Sequence, residues 1–255
     1  MSIKLIASDI DGTLLLNHGK EIPGEIFDEV RRLKEKGILF CPASGRQYNS
    51  LKNLFAPIAR DCIFLCDNGA VVYRGDGVIL SKTAMPRDLC EELAEEIEAV
   101  EGCTPVFSGA NMIYICSREE QLLRDLTYFV GDNYTVVDRP QDIPEDIIKV
   151  CAYCRQGAAV YEQQVPSRWK ETFNVAVAGV PWLDFTCASK GLGLEKLCKV
   201  LGIDSADVMA FGDNFNDCSM LDFAGHPYLM ASGNPALLSR YPNHCANVAD
   251  VLKTL

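Results

Sequence analysis

The segment LIASDIDGTLLL, residues 5–16, places two aspartates directly after an apolar run. The apolar residues before Asp9 predict a buried β-strand that ends at the first aspartate. Two carboxylates about 4 Å apart repel each other by about 4 kcal/mol at an effective dielectric constant of about 20. Asp9 and Asp11 therefore need positive charge close to them, which indicates a site for a cation.

Buried strands and helices alternate on the C-terminal side of this segment. A helix is predicted over 22–37 with Gly37 at its C-terminal end, and apolar strands are predicted over 38–44 and 62–66. Near-continuous apolar strands separated by helices are typical of a parallel sheet that is covered on both faces. We therefore predict an α/β fold with a doubly wound parallel sheet.

The pattern changes in the middle of the chain. An acidic helix is followed there by alternating strands such as NMIYICS and FNVAVAG, which are typical of an antiparallel sheet. Buried strands and helices resume after the segment LDFTCASKG. We predict a core domain in two segments, 1–81 and 185–255, interrupted by an inserted α+β cap domain over 82–184.

Composition limits the classes of function. The chain has 255 residues, 48% of them hydrophobic, and a formal net charge of −11, which argues against nucleic acid as a partner. Neither a secretory signal nor an apolar run of membrane-spanning length is visible, so we expect a cytoplasmic protein without a membrane partner. Its twelve cysteines are then expected to be reduced. We expect a monomer or a weak homodimer.

Polar and small residues follow the predicted strands of the α/β portion. They are Asp9, Asp11, Ser44, Gly45, Arg46, Asp213 and Asp217. The carboxyl ends of parallel strands meet at one edge of a sheet, so we expect these residues to converge. Mg²⁺ prefers a few carboxylates together with water and phosphate oxygens, which fits the acidic members of this set. Arg46 and Lys190 would suit a phosphate dianion.

Four short motifs occur in order along the chain: DIDGT at 9–13, SGR at 44–46, SKG at 189–191 and GDNFND at 212–217. This series resembles the haloacid dehalogenase (HAD) superfamily of aspartate-nucleophile phosphohydrolases. The long insert and the segment DNGA are similar to the Cof-type subfamily with a C2-class cap. The resemblance covers nearly the whole chain. It implies a HAD-like Rossmannoid core and a Mg²⁺-dependent phosphatase that acts on a small phosphorylated metabolite such as a sugar phosphate.

The resemblance also implies a chemical role for the residues of the motifs. Asp9 would be the nucleophile that forms an aspartyl-phosphate, and Asp11 would protonate the leaving group and then activate water. Lys190 would orient Asp9 and neutralise charge on the transferred group. The implied phosphate-binding residues are Ser44, Gly45, Arg46 and Asn216. The implied Mg²⁺ ligands are Asp9, the backbone carbonyl of Asp11, Asp213 and Asp217, the last directly or through water.

Several residues have simpler interpretations. Arg46 could instead pair with a surface acid, and Asn68-Gly69 is most simply a turn. Cys151 and Cys154 form a Cys-x-x-Cys without a second pair at zinc-site spacing, which favours packing in the core. The three histidines, His18, His226 and His244, are assigned to loops.

Two alternatives to hydrolysis remain open. A phosphomutase or phosphotransferase would pass the phosphoryl group from the aspartate to a sugar hydroxyl. A non-enzymatic regulatory module would bind phosphate without turnover. The cap residues that would contact the substrate are not ranked by the sequence, and the cationic candidates are Arg118, Arg139, Lys149 and Arg155.

Overall fold

The computed structural model describes residues 3–16, 19–131 and 133–255, so His18 lies outside the described residues. The chain divides into two compact units. Unit 1 comprises 1–82 and 188–255, and unit 2 comprises 83–187. The division into core segments 1–81 and 185–255 and a cap domain over 82–184 stays a prediction.

The described chain contains fourteen strands and nine α-helices. The strands are β1 (Leu5–Ser8), β2 (Leu39–Pro42), β3 (Ile63–Cys66), β4 (Val71–Arg74), β5 (Ile79–Lys82), β6 (Cys103–Gly109), β7 (Ile113–Ile115), β8 (Tyr134–Val136), β9 (Ile147–Cys154), β10 (Asn174–Gly179), β11 (Trp182–Thr186), β12 (Val208–Gly212), β13 (His226–Met230) and β14 (His244–Cys245). The helices are α1 (Gly24–Glu35), α2 (Tyr48–Leu54), α3 (Arg87–Glu98), α4 (Glu120–Val130), α5 (Ala158–Glu162), α6 (Ser167–Thr172), α7 (Lys190–Leu201), α8 (Cys218–Phe223) and α9 (Val248–Leu252).

A parallel five-stranded sheet forms the centre of unit 1. Its strand order is β14-β13-β12-β1-β2, and all of its neighbouring strands are parallel. Leu5 and Ala7 of β1 pack in a cluster with residues of α7 and α8, whereas Ile6 points to the other face and is equally buried. Because both faces of β1 are covered, every position of the strand is apolar or small. The predicted α/β class with a parallel core sheet is confirmed.

The strand β3 departs from the prediction that it belongs to the parallel core sheet. It pairs antiparallel with β4 in a separate three-stranded sheet of order β3-β4-β5. Two isolated parallel bridges, Phe40 to Cys62 and Ala43 to Leu65, still link this sheet to β2. The apolar pattern of a buried strand is the same in both arrangements, so the sequence could not distinguish them.

Unit 2 is built on a six-stranded sheet of order β10-β11-β9-β6-β7-β8. Its neighbouring strands are antiparallel except for the pair β7-β8. Helices α3, α5 and α6 pack on one face of this sheet, and α4 packs on the other. This is the α+β arrangement that the alternating strands predict.

Two smaller observations complete the fold. His226 and His244 begin β13 and β14, so their assignment to loops was wrong. Their strands lie at one edge of the core sheet and carry too few apolar residues for a strong strand pattern. Within the described residues, every helix is too short or too polar to span a membrane.

Candidate active site

The two aspartates of DIDGT point in different directions after β1. The backbone N–H of Asp9 donates to the Phe211 carbonyl at 2.9 Å, which extends the pairing of β1 with β12. Asp9 is only 5% exposed, whereas 57% of the Asp11 side chain is exposed. Gly12 then turns the chain with a φ of +95°. One carboxylate is therefore held inside the site, and the other lies at its surface.

Lys190 is the buried cation of this site. It is the first residue of α7, whose N-cap Ser189 accepts a hydrogen bond from the backbone N–H of Leu192. The Lys190 ammonium lies 2.5 Å from Asp9 Oδ1 and 2.6 Å from Asp217 Oδ1, and its side chain is 1% exposed. The sequence prediction that Lys190 orients Asp9 is consistent with this contact.

Asp217 organises the loop that carries Asp213. Asp217 Oδ2 accepts hydrogen bonds from the backbone N–H groups of Asp213 at 2.9 Å and Asn214 at 3.1 Å. Since its Oδ1 contacts Lys190, both oxygens of this fully buried carboxylate are engaged. Asp213 directly follows β12, and a Cβ on Gly12 would lie 2.3 Å from Asp213 Oδ2. The glycine therefore allows the DIDGT turn to approach Asp213.

Burial and mutual repulsion set the charge state of these groups. Burial raises the pKa of Asp9 to about 6; the Lys190 ammonium opposes this rise, and the Asp217 carboxylate adds to it. Burial, followed by the charges of Asp9 and Asp217, raises the pKa of Asp213 to about 7. Burial alone would lower the pKa of Lys190, but the two carboxylates beside it hold that pKa above its ordinary value. The cluster is short of positive charge.

The carboxylates fit a metal ion. Asp9, Asp213 and Asp217 each offer an oxygen, and these oxygens lie within 4.8 Å of one another. Asp9 Oδ2 is buried and lacks a hydrogen-bond partner among the described residues. An all-oxygen donor set with unbalanced negative charge suits a hard divalent cation such as Mg²⁺. The Asp11 side chain does not join this cluster, so a metal contact of Asp11 stays a prediction about its backbone carbonyl.

Arg46 holds the exposed aspartate. Its Nη2 lies 2.5 Å from Asp11 Oδ1 and its Nε lies 3.0 Å from Asp11 Oδ2, which makes a two-bond ion pair. The other residues of SGR are close by, because Ser44 Oγ accepts the backbone N–H of Arg46 at 3.2 Å. The structure therefore gives Arg46 the carboxylate partner that its simpler interpretation expects, and a phosphate contact stays a prediction.

The segment DNGA braces the SGR loop and helix α7. The backbone N–H of Asn68 donates to the Ser44 carbonyl at 2.9 Å, and that of Asp67 donates to the Arg46 carbonyl at 3.1 Å. Asp67 and Asn68 both have a positive φ, of 48° and 53°, which is costly for residues other than glycine. From the sequence, Asn68-Gly69 is most simply a turn, with a contribution to the site left open, and DNGA is similar to a segment of the Cof-type subfamily. The available signal was the Asp-Asn pair, since these two residues tolerate the left-handed conformation best.

Replacing Gly69 by alanine tests this brace. The φ of Gly69 is +92°, and an added Cβ would lie 2.2 Å from the carbonyl oxygen of Ser189, the N-cap of α7. We expect Gly69→Ala to lower the free energy of unfolding by about 3 kcal/mol, because backbone strain and a clash add together. Gly37→Ala is the matched control, since its φ is +78° but no atom of the described residues lies within 4 Å of the added Cβ. Urea unfolding measures both, and equal losses would contradict the brace.

Two asparagines lie in the loops around the site. Asn216 is exposed in a short 3-10 turn, and in the described part of the chain Asp9 is hydrogen-bonded to Lys190 rather than to Asn216. A phosphate contact of Asn216 stays a prediction. Asn234 was not predicted from the sequence, and its backbone N–H donates to the Asp213 carbonyl at 2.8 Å. The available signal was the Asn-Pro pair that begins at this residue, which favours a turn.

The four cationic candidates of unit 2 all lie in ion pairs. Their partners are Asp138 for Arg118, Asp142 for Arg139, Asp184 for Lys149 and Glu119 for Arg155. The pair of Lys149 and Asp184 is the most buried of these, with 16% and 17% of the side chains exposed. A substrate contact of any of the four stays a prediction.

A cleft in unit 1 opens beside the acidic cluster. It has a volume of about 780 Å³, and its lining includes Asp11, Gly12, Asp213 and Ser232. This space is large enough for a small ligand. Asp213 and Asp11 are therefore accessible from the same side of unit 1.

Comparison with known proteins identifies the family. A model of the haloacid dehalogenase-like hydrolases matches residues 6–251. The 5-amino-6-(5-phospho-D-ribitylamino)uracil phosphatase YbjI of Escherichia coli K12 is 28% identical over 249 residues, which cover 94% of this chain and 89% of that protein. The HMP-PP phosphatase of Citrobacter koseri is 26% identical, with 96% and 92% covered. A crystal structure from Eubacterium rectale has a TM-score of 0.87 and 29% identity, with 99% and 98% covered. As the four motifs predict, the chain belongs to the haloacid dehalogenase-like hydrolases.

Proposed function

We propose that the chain hydrolyses a small phosphomonoester through an aspartyl-phosphate formed on Asp9. The observation that carries this proposal is the state of the Asp9 carboxylate, which is buried and fixed through Oδ1 by Lys190. Its other oxygen, Oδ2, has no hydrogen-bond partner in the part of the chain that the structure describes, and it is available to attack phosphorus. The chain's family and its phosphatase relatives support the same reaction class.

The first step transfers the phosphoryl group. Asp9 Oδ2 forms a bond to phosphorus, the bond between phosphorus and the leaving oxygen breaks, and Asp11 supplies a proton to that oxygen. In the second step a water molecule gives its proton to Asp11 and attacks phosphorus, which breaks the bond to Asp9 and releases phosphate. Lys190 keeps Asp9 oriented in both steps and offsets negative charge.

Asp213 and Asp217 would hold Mg²⁺ together with Asp9. The metal, when bound, would supply positive charge to the phosphoryl oxygens. Asp217 already accepts two backbone N–H groups and the Lys190 ammonium, so Asp213 is the better candidate for direct contact. Ser44, Gly45 and Asn216 would bind the remaining phosphoryl oxygens.

Arg46 would connect substrate binding to the release of Asp11. In the structure the Nε and Nη2 groups of Arg46 both donate to the Asp11 carboxylate. A phosphate dianion offers the same two-oxygen geometry with more charge, so it can replace Asp11 as the partner of Arg46. Asp11 would then be free to reach the leaving oxygen.

The substrate is proposed to be a phosphorylated metabolite. The name of the Escherichia coli relative specifies a phosphorylated ribityl compound, which supports a phosphate ester of a sugar or a sugar-like chain. A phosphate-release screen over phosphorylated metabolites, with Mg²⁺ and with a chelator, tests the reaction class and the metal together. Release in the chelator would contradict the metal, and binding without release would favour the regulatory module. Transfer of phosphate to a second sugar would favour a phosphomutase or phosphotransferase.

Stability is expected to depend jointly on pH and Mg²⁺. The raised pKa values of Asp9 and Asp213 mean that the metal-free folded chain binds protons that the unfolded chain has lost, so its stability falls as pH rises through about 6 to 7. Mg²⁺ must displace those protons, so it should raise the thermal midpoint more at pH 8 than at pH 5.5. Thermal unfolding at both values measures the difference. Asp213→Asn should reduce the gain at pH 8, and an equal gain at both pH values would contradict the metal site.

Asp11→Asn should discriminate between leaving groups. An alkyl phosphate needs a proton on its leaving oxygen, so we expect turnover to fall by about 10²-fold or more, whereas an activated aryl phosphate should lose less in the first step. Initial rates of single-turnover release measure both losses. Asp61→Asn removes another ion-paired carboxylate of unit 1, which is partly exposed, and should leave both rates unchanged. The same loss on both substrates would count against the acid role.

A further inference from the structure

Cys103 and Cys154 face each other across two neighbouring strands of unit 2. The antiparallel register of β6 and β9 pairs these two residues directly. The backbone N–H of Arg155 donates to the Gly102 carbonyl at 3.0 Å, so the hydrogen bonds flank the cysteine pair. Two positions further along, Pro105 pairs with Ala152. Proline has no backbone N–H, so it fits a position that forms no hydrogen bond with its partner strand. Cys103 and Cys154 therefore form a non-hydrogen-bonded pair.

This type of pair brings the side chains close together. Non-hydrogen-bonded partners have Cα atoms about 4.5 Å apart, within the range of about 4.4–6.8 Å that disulfides require. The two Sγ atoms of Cys103 and Cys154 lie 2.9 Å apart and share a thiol–thiol hydrogen bond. The two sulfurs would need to move about 0.9 Å closer to reach the S–S bond length of about 2.05 Å.

The neighbouring Cys-x-x-Cys does not compete for Cys154. Cys151 belongs to the cluster on the α4 face of the sheet, whereas Cys154 belongs to the cluster on the opposite face. Residues three apart on a strand point to opposite faces, so these two thiols cannot meet. The partner of Cys154 lies on the neighbouring strand β6, and the spacing of cysteines in the sequence does not predict this pairing.

The two thiols differ in exposure and acidity. Cys103 is partly exposed, whereas Cys154 is buried. Burial raises the pKa of both thiols, and the hydrogen bond between them lowers that of Cys103 while raising that of Cys154. Cys103 is therefore the thiol that ionises first and meets reagents from solution.

We propose that Cys103 and Cys154 form a reversible disulfide and are a redox-sensitive modification site of unit 2. The oxidant is a low-molecular-weight disulfide. The Cys103 thiolate attacks one of its sulfurs and releases one small thiol, which leaves a mixed disulfide on Cys103. The Cys154 thiolate then attacks the Cys103 sulfur and releases the second small thiol. Two protein thiols are oxidised, one small disulfide is reduced, and the two protons pass to the released thiols.

The bond would constrain most of the unit 2 sheet. It would join residues 51 positions apart and close a loop that contains β7, α4 and β8. Closing such a loop restricts the unfolded chain and stabilises the folded one. The expectation of reduced cysteines is compatible with this proposal, since disulfides of reducing compartments are mostly transient and redox-sensing.

Alkylation under denaturing conditions, after equilibration in mixtures of reduced and oxidised glutathione, tests the proposal. We expect two of the twelve thiols to be lost, a Cys103–Cys154 linked peptide in non-reducing mass spectrometry, and full recovery with dithiothreitol. The oxidised protein should unfold several degrees higher. Cys103→Ser and, separately, Cys154→Ala should abolish the link, whereas Cys116→Ser, at another partly exposed thiol, should retain it.

Three results would overturn the inference. The first is that both thiols stay fully alkylatable across the whole range of glutathione mixtures. The second is a glutathione adduct on Cys103 that does not resolve to a link. The third is an equal loss of two thiols in Cys103→Ser, which would assign the oxidation to other cysteines.

Discussion

Asp9→Asn is expected to reduce phosphate release by at least about 10⁴-fold, which is typical for loss of a covalent nucleophile. The amide cannot attack phosphorus, and it also removes one of the three oxygens available to the metal. The fold should survive, because Asn has nearly the same shape and can still accept a hydrogen bond from Lys190. Since burial already raises the pKa of Asp9, removing this charge should not lower stability at pH 8.

Phosphate-release kinetics and thermal unfolding of the same preparation separate chemistry from folding. Asp76→Asn is the control, because Asp76 is an exposed carboxylate of unit 1 that pairs with Arg74 away from the site. It should retain the activity of the original chain. A rate for Asp9→Asn within tenfold of that activity would eliminate Asp9 as the nucleophile.

Lys190→Met is expected to cause the largest loss of stability among single changes in the site. It leaves Asp9 and Asp217 buried beside each other without their shared cation, and breaking a buried ion pair costs about 3–5 kcal/mol. Turnover should also fall by at least about 10²-fold, because charge on the transferred group is no longer offset. Urea unfolding at pH 8, without added metal, measures the first effect.

The pH dependence of this loss identifies its cause. Without Lys190 and without metal, protonation is what reduces the repulsion between the two buried carboxylates. The loss in the free energy of unfolding should therefore be smaller at pH 5.5 than at pH 8. Lys199→Met is the matched control on the same helix, since Lys199 is 72% exposed and pairs with Glu195 one turn away. That change should cost less than about 1 kcal/mol. A similar small cost for Lys190→Met at both pH values would contradict the buried charge network.

Much of the site could be predicted because the loops at the carboxyl ends of parallel strands meet at one edge of the sheet. Asp9 and Asp213 directly follow the adjacent parallel strands β1 and β12, and strand order in such a sheet brings their side chains together. Lys190 could be associated with them only through the motif series, because its contact depends on how α7 packs. The hydrophobic pattern predicts that Lys190 begins a helix, but it does not predict which side chains Lys190 contacts.

Interactions that depend on the direction of a side chain could not be predicted from the sequence. The spacing of Asp9 and Asp11 does not reveal that one is buried with Lys190 and the other is paired with Arg46. The two hydrogen bonds that Asp217 Oδ2 accepts from its own loop were equally hidden, because they arise from the local turn. The contact of Cys103 with Cys154 depends on strand register, which hydrophobic pattern does not specify to the residue.

Trapping the phosphoryl group tests the central claim most directly. Asp11→Asn should slow the hydrolysis of the aspartyl-phosphate, so an activated aryl phosphate should give a burst of aryl alcohol followed by accumulation of modified protein. Rapid acid quenching and peptide mass spectrometry should then locate one phosphoryl group on Asp9. A phosphoryl group on a different side chain, or turnover without either a burst or a modified Asp9, would contradict the mechanism.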